Sequence, residues 1–198
     1  NVLEPPKNIP GPNTIMQFRF DAERGQLSPN SPPQVEQAGL AGPRHYCFHP
    51  SLDLAYSSNE QGCSVTAYRV DPSNGTLSAL QTISTLPAGF DARNTCSQIH
   101  LTPSGRFLYV GNRGHDTVTV FAVDRKTGML TLKENVPSGG RTPRNVRIDP
   151  TGAWFFAANE NGGNVTEFKI DRATGHLTPT GVTVPISTTG GIYFLKAK

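Results

Sequence analysis

Residues 107–124, FLYVGNRGHDTVTVFAVD, decide the fold, because the chain writes this phrase three times. Residues 54–71 read LAYSSNEQGCSVTAYRVD and residues 155–171 read FFAANENGGNVTEFKID. The spacing around the echoes is regular. Pro50, Pro103 and Pro150 are each followed nine residues on by Asn59, Asn112 and Asn159, and twelve further on by Asp71, Asp124 and Asp171. Each Asp opens a D-x-x-x-G-x-L turn: DPSNGTL, DRKTGML and DRATGHL. A fourth copy, DAERGQL at Asp21, lacks the Pro and Asn. An internal period of this kind marks a repeat architecture.

Within a unit the pattern is β throughout. Val, Thr, Tyr, Phe and Ile fill short runs, and Gly, Pro, Asn and Asp punctuate them. Four short strands in a unit of about 50 residues is the signature of an antiparallel propeller blade. The chain is thus expected to be an all-β propeller domain or fragment. It divides into a partial blade at 1–41, blades at 42–94, 95–141 and 142–188, and a closing inner strand at 189–198. Two assemblies satisfy this reading: four blades closed by the meeting of the termini, or the later part of a larger ring.

Bulk properties exclude several classes. A chain of 198 residues with apolar residues spread throughout supports a packed core, although it holds 20 Gly and 17 Pro. No apolar run approaches the ~20 residues that span a bilayer, so no membrane partner is expected. A net charge of +3 without basic runs argues against nucleic acid. Cys47, Cys63 and Cys96 show no metal spacing, and an odd, sparse set suits reduced thiols in the cytoplasm. The chain shows no nucleophile elbow, phosphate loop or zinc-type His spacing, so no cofactor or metal is expected.

The residue after the repeated Asn changes: Glu60, Arg113, Glu160. The Asn itself is expected to be structural, its amide tying the loop into the third strand. Counting outward from hairpin turns near Leu52, Gly105 and Gly152 sets Arg44 opposite Glu60, Ser97 opposite Arg113, and Arg144 opposite Glu160. These positions sit at the open end of the first hairpin, and first strands line the channel, so successive units converge on one rim. The expected catalytic set is Glu60, Arg113, Arg44, His45 and His100, with Arg144, Asn145, Glu160 and His115 binding substrate. Arg147 is left out, because strict alternation from Arg144 turns it away. Guanidiniums suit a carboxylate or phosphate, a carboxylate activates water, and His shuttles a proton. Arg44–Glu60 and Arg144–Glu160 also read as plain cross-strand ion pairs, and His45 and His100 as structural histidines. His49 and His176 fall in turns and are expected to be solvated, while Trp154, Tyr109, Phe155 and Phe156 are expected in the core between blades.

The phrases AGPRHYCFHP, SSNEQGCSVTAYRVDPSNGTL, QIHLTPSGRFLYVGNRGHDTVTVFAVD and RTPRNVRIDPTGAWFFAANENGGNVTEFKIDRATGHL resemble the lactonase family of seven-bladed β-propellers. That family includes propeller-type 6-phosphogluconolactonases and 3-carboxy-cis,cis-muconate lactonising enzymes. The resemblance implies a cofactor-free fold acting on small anionic lactones, with Arg44, Glu60 and Arg113 in the site. The chain corresponds to roughly the last four blades of that family, and a site His of an earlier blade has no counterpart here. The leading expectation is hydrolysis of a small anionic sugar lactone, with Glu60 activating water and Glu60→Gln abolishing turnover without lowering the melting temperature. A carboxymuconate cycloisomerase, a non-catalytic binding propeller like the YVTN-type surface proteins, and an inactive fragment are the alternatives. A chain natively this short would also be open to self-association.

Overall fold

In the computed structural model, which describes residues 3–4, 9–10, 13–187 and 190–195, the described elements are strands. Two short strands, β1 (Leu3–Glu4) and β2 (Ile9–Pro10), pair with each other. A longer hairpin follows, β3 (Thr14–Asp21) with β4 (Gln26–Glu36). Then come three four-stranded antiparallel meanders. Blade I holds β5 (Pro43–Phe48), β6 (Leu54–Asn59), β7 (Ser64–Val70) and β8 (Leu77–Ser84). Blade II holds β9 (Thr95–Leu101), β10 (Phe107–Arg113), β11 (Thr117–Val123) and β12 (Leu130–Pro137). Blade III holds β13 (Pro143–Ile148), β14 (Trp154–Asn159), β15 (Asn164–Ile170) and β16 (Leu177–Pro185).

The first strands β5, β9 and β13 pack side by side, so the blades stand around a common axis. Two apolar layers hold them together. Leu54, Tyr56, Val65 and Ala67 of blade I meet Ile99, Leu108, Val110, Phe121 and Leu130 of blade II. Phe107, Tyr109, Val118 and Val120 of blade II meet Val146, Ile148, Phe155, Ala157, Phe168 and Leu177 of blade III. A middle strand buried on both faces cannot alternate apolar with polar. This is why β6 and β10 are buried almost from end to end, and why their polar members must find partners inside.

The repeated Asn supplies those partners. Asn59, Asn112 and Asn159 are fully buried. The Asn59 amide donates to Ser64 Oγ and Thr66 Oγ1, both at 2.9 Å. Asn112 donates to Thr119 Oγ1 at 2.7 Å and Thr117 Oγ1 at 3.2 Å, and Asn159 to Thr166 Oγ1 at 3.3 Å. The repeated Asp closes the outer turn. Asp71 Oδ1 accepts Ser73 N at 2.8 Å, and Asp124 and Asp171 do the same for the turns that follow them. The Gly in each phrase stands at positive φ, 72–79°, where a Cβ is disfavoured.

Four expectations need correction. Residues 190–195 form no strand; they lie across blade III, with Ile192 N donating to Asn145 Oδ1 at 3.1 Å and Phe194 packed 5.6 Å from Phe156. The rest of the expected closing strand is outside the described residues. Trp154 is 38% exposed, because it points away from blade II on the face of blade III that no further blade covers among the described residues. Phe156, on that same face, meets the 190–195 segment instead of a blade core. His49 is only partly exposed: its Nδ1 accepts Ser51 N and Leu52 N, and its Nε2 lies 3.2 Å from Gly105 O of blade II.

Candidate functional site

Each first strand carries a β-bulge at the same place. Pro43 opposes Asn59 and His45 opposes Ser58, which leaves Arg44 as the extra residue. Cys96 opposes Asn112 and Ile99 opposes Val110, so Ser97 and Gln98 share the bulge. Pro143 opposes Asn159 and Asn145 opposes Ala158, leaving Arg144 unpaired. Counting at constant register therefore misplaces all three pairs by two residues, one from the bulge and one from the hairpin centre; Arg113, for example, opposes Thr95 and not Ser97. A bulge re-aims side chains, and these bulges sit at the same end of the three adjacent first strands.

The rim nevertheless converges. Glu60 is 8% exposed and accepts a hydrogen bond from Arg113 Nη2 of the next blade through Oε1. Its Oε2 lies 3.5 Å from Arg44 Nε. The same Arg113 Nη2 donates to Cys96 O at 3.0 Å. Arg144 Nη1 reaches both oxygens of Glu160 at 3.1 Å in a more exposed pair. Arg44 feels the charges of Arg113, Glu60, Arg144 and Glu160, and burial followed by Arg113 pulls its pKa down from the usual arginine value. Three guanidiniums against two carboxylates leave the rim with one net positive charge. Among the described residues, Arg44 Nη1, Glu60 Oε2 and Arg113 Nε are buried without a hydrogen-bond partner. Unpaired polar atoms of this kind are costly unless something binds them.

The histidines divide. His45, one position past the bulge, has its pKa lowered by burial and then by Arg44. His100 lies deeper on the same wall, and burial, Arg147 and His45 together pull it down to about 4. Both rings are therefore neutral at neutral pH, and His100 Nε2 has no partner. His115 is held apart in the β10–β11 turn, where Nδ1 meets Thr117 Oγ1 at 2.7 Å and the ring packs edge-on to Phe90. None of these contacts is with the arginine–glutamate cluster. Asn145 is occupied as well: its amide donates to Gln98 Oε1 while its oxygen takes Ile192 N.

Sequence reasoning missed two residues. Gln98, equivalent to His45 and Asn145 in the repeat, joins the inner strands. Arg147 lies within electrostatic reach of His100 and stacks 5.7 Å from Tyr193, because the bulge at Arg144 shifts the alternation by one. The repeat alignment carried the signal for Gln98; nothing in the sequence marked the bulge. Beside the site, a cavity of about 170 Å³ is lined by Thr14, Ile15, Arg44, His45, Tyr46 and Ser57. A larger one, about 410 Å³, contains Arg106 and Arg172, but both guanidiniums there donate to backbone carbonyls, which leaves it a weak anion site.

The family model "Lactonase, 7-bladed beta-propeller" matches residues 10–194. The chain belongs to this lactonase family. Curated relatives include 6-phosphogluconolactonases from Bacillus subtilis, 42% identical over 105 residues, and from Pectobacterium carotovorum, 38% identical over 114 residues. Those matches take in 53% and 58% of this chain but only 30% and 34% of the relatives, so the aligned region is about a third of their length. Among solved structures, a Lactobacillus plantarum protein superposes with a TM-score of 0.87 at 31% identity, covering 93% of this chain and 53% of that one. The Pseudomonas aeruginosa periplasmic gluconolactonase gives 0.83 at 31% identity over 89% and 49%. The lactonase-family chain thus spans about half of these propellers. No helix among the described residues is long and apolar enough to cross a membrane.

Proposed function

We propose that the rim formed by Arg44, Glu60 and Arg113 binds and hydrolyses a small anionic sugar lactone of the 6-phosphogluconolactone class. The observation that carries this is the set of unpaired buried atoms, Arg44 Nη1, Arg113 Nε and Glu60 Oε2, gathered from two successive blades around one net positive charge. The relatives named 6-phosphogluconolactonase support the substrate class. Arg44 and Arg113 hold the anionic group and the oxygen on which charge builds as water attacks, a role in which loss of one donor costs about 10²–10³ in rate. Glu60 Oε2 orients the water. A neutral His, His45 by position, accepts the water's proton and returns it to the departing ring oxygen. Arg144, Glu160 and Asn145 flank the site and set its outer edge; His115 acts only through the turn it holds. The free thiols support a reducing compartment, and no nucleic-acid or membrane partner is proposed.

The test is turnover of 6-phosphogluconolactone, followed by acid release, by the 198-residue chain and by Arg113→Gln. Hydrolysis that falls about a hundred-fold in the variant supports the reading. Equal rates, or turnover of a carboxymuconate in its place, would overturn it.

A further inference from the structure

Cys63 and Cys96 occupy repeat positions where the sister blades use other residues. Cys63 closes the turn after Glu60; its counterparts are Asp116 and Gly163, and all three stand at positive φ, 45°, 56° and 63°. Asp and Gly are residues that tolerate this region; Cys is not favoured there. Cys96 takes the place filled by Pro43 and Pro143, and is fully buried. These two exceptions to the repeat come from adjacent blades and meet at Thr85, whose Oγ1 donates to Cys63 O at 3.0 Å and lies 3.2 Å from Cys96 Sγ, with Cys63 packed against the apolar cluster that holds Cys96.

The surroundings treat the two sulfurs differently. Cys63 is half-buried; its Sγ donates to Asn94 O at 3.2 Å and accepts from Asn94 Nδ2 at 3.3 Å, with the Cys96 thiol beside it. These donors, Cys96 first, pull the Cys63 thiol down to about 6, whereas burial raises Cys96. Thr85 Oγ1 holds Cys96 Sγ at 3.2 Å. Cys47, the remaining thiol, is pushed up to about 12 by burial. Thiolate character and access together select which cysteine reacts.

We propose that Cys63 is a site of oxidation by peroxide and that Cys96 is its resolving thiol, so that oxidation links blade I to blade II. The Cys63 thiolate attacks one peroxide oxygen, the O–O bond breaks, and a sulfenic acid forms as hydroxide leaves and takes a proton. The Cys96 sulfur then attacks the Cys63 sulfur; the S–O bond breaks, the S–S bond forms, and the Cys96 proton leaves with the hydroxide as water. Two thiols and one hydrogen peroxide give one disulfide and two waters. The link lies on the backbone that positions the rim, since Cys96 N donates to Glu60 O at 2.9 Å and Cys96 O accepts Arg113 Nη2. The inference stands independently of what the rim binds.

The test treats the full 198-residue chain with hydrogen peroxide and follows its thiols by titration and peptide mass mapping. The expected result is loss of Cys63 at least about a hundred-fold faster than Cys47, following its thiolate character and its access. It includes a Cys63–Cys96 peptide lighter by two hydrogens and restored by dithiothreitol. In Cys96→Ala, Cys63 should persist as a sulfenic acid captured by a dimedone probe. Cys63 reacting no faster than Cys47, or a wild-type chain in which Cys63 is oxidised while Cys96 stays a thiol, would overturn the proposal.

Discussion

Glu60 ties two blades together while leaving one oxygen without a hydrogen-bond partner, so its substitution acts on two properties at once. With only 11% of the Glu60 side chain and 13% of the Arg113 side chain exposed, removing one charge leaves the other buried. Glu60→Gln is therefore expected to cost about 2–4 kcal/mol in chemical denaturation as well as turnover. This departs from the expectation from sequence alone, in which the melting temperature was unchanged, because Glu60 is buried against Arg113 of the next blade. His100 gives a second outcome at this scale. Its folded pKa of about 4 lies below the ordinary 6.5, so between these values the unfolded chain binds the extra proton. Stability should fall as the pH drops from about 6.5 to 4, by up to about 3 kcal/mol from this group. Denaturation midpoints across that range, compared with His100→Gln, would show the dependence shrinking in the variant.

The elements that build the site are the bulged first strand and the buried second strand. Asn112 fixes the end of β10 and so aims Arg113. Asn112→Ala takes an amide donor from the hydroxyls of Thr117 and Thr119, of which Thr119 keeps that of Asn135, and should cost about 2 kcal/mol by urea titration. An alanine at the exposed turn residue Lys126 should cost well under that. Gly111 shows how tightly β10 lies against its neighbours: a Cβ there would run into Ser97 Oγ and stand 2.7 Å from Pro143 O. Gly111→Val is expected to separate β9 from β13 and lower the melting temperature, and circular dichroism would register it. The blade, its four strands and the structural Asn were all legible in the period of the sequence. The bulges were not, because an inserted residue leaves no mark on spacing when every unit carries it.

At the level of the whole molecule, the first and last blades carry faces that no other blade covers among the described residues. Tyr46 and Phe48 are 60% and 58% exposed, whereas their counterparts in the next blades, Ile99 and Val146, Leu101 and Ile148, are shielded by the blade in front. The β3–β4 hairpin covers only the outer part of blade I, through Asn30 to Asn74 O and Gln17 to Leu77 N. Apolar faces of this kind associate. The 198-residue chain should show a concentration-dependent mass in sedimentation, and Tyr46→Lys with Phe48→Lys should shift it toward monomer. A chain that remains monomeric at high concentration would count against association through this face.

The sequence by itself determined the blade, its repeat, the turn residues, the core positions Tyr109 and Phe155 and the family, because these follow from local spacing and alternation, which the chain carries openly. It also named Arg44, Glu60 and Arg113. Only the tertiary structure decided that Glu60 binds the arginine of the next blade more closely than that of its own, that Arg147 lies within reach of His100, and that Thr85 brings Cys63 beside Cys96. Those contacts cross between blades, and the angle at which one blade meets the next is set by packing and bulges that no single unit encodes.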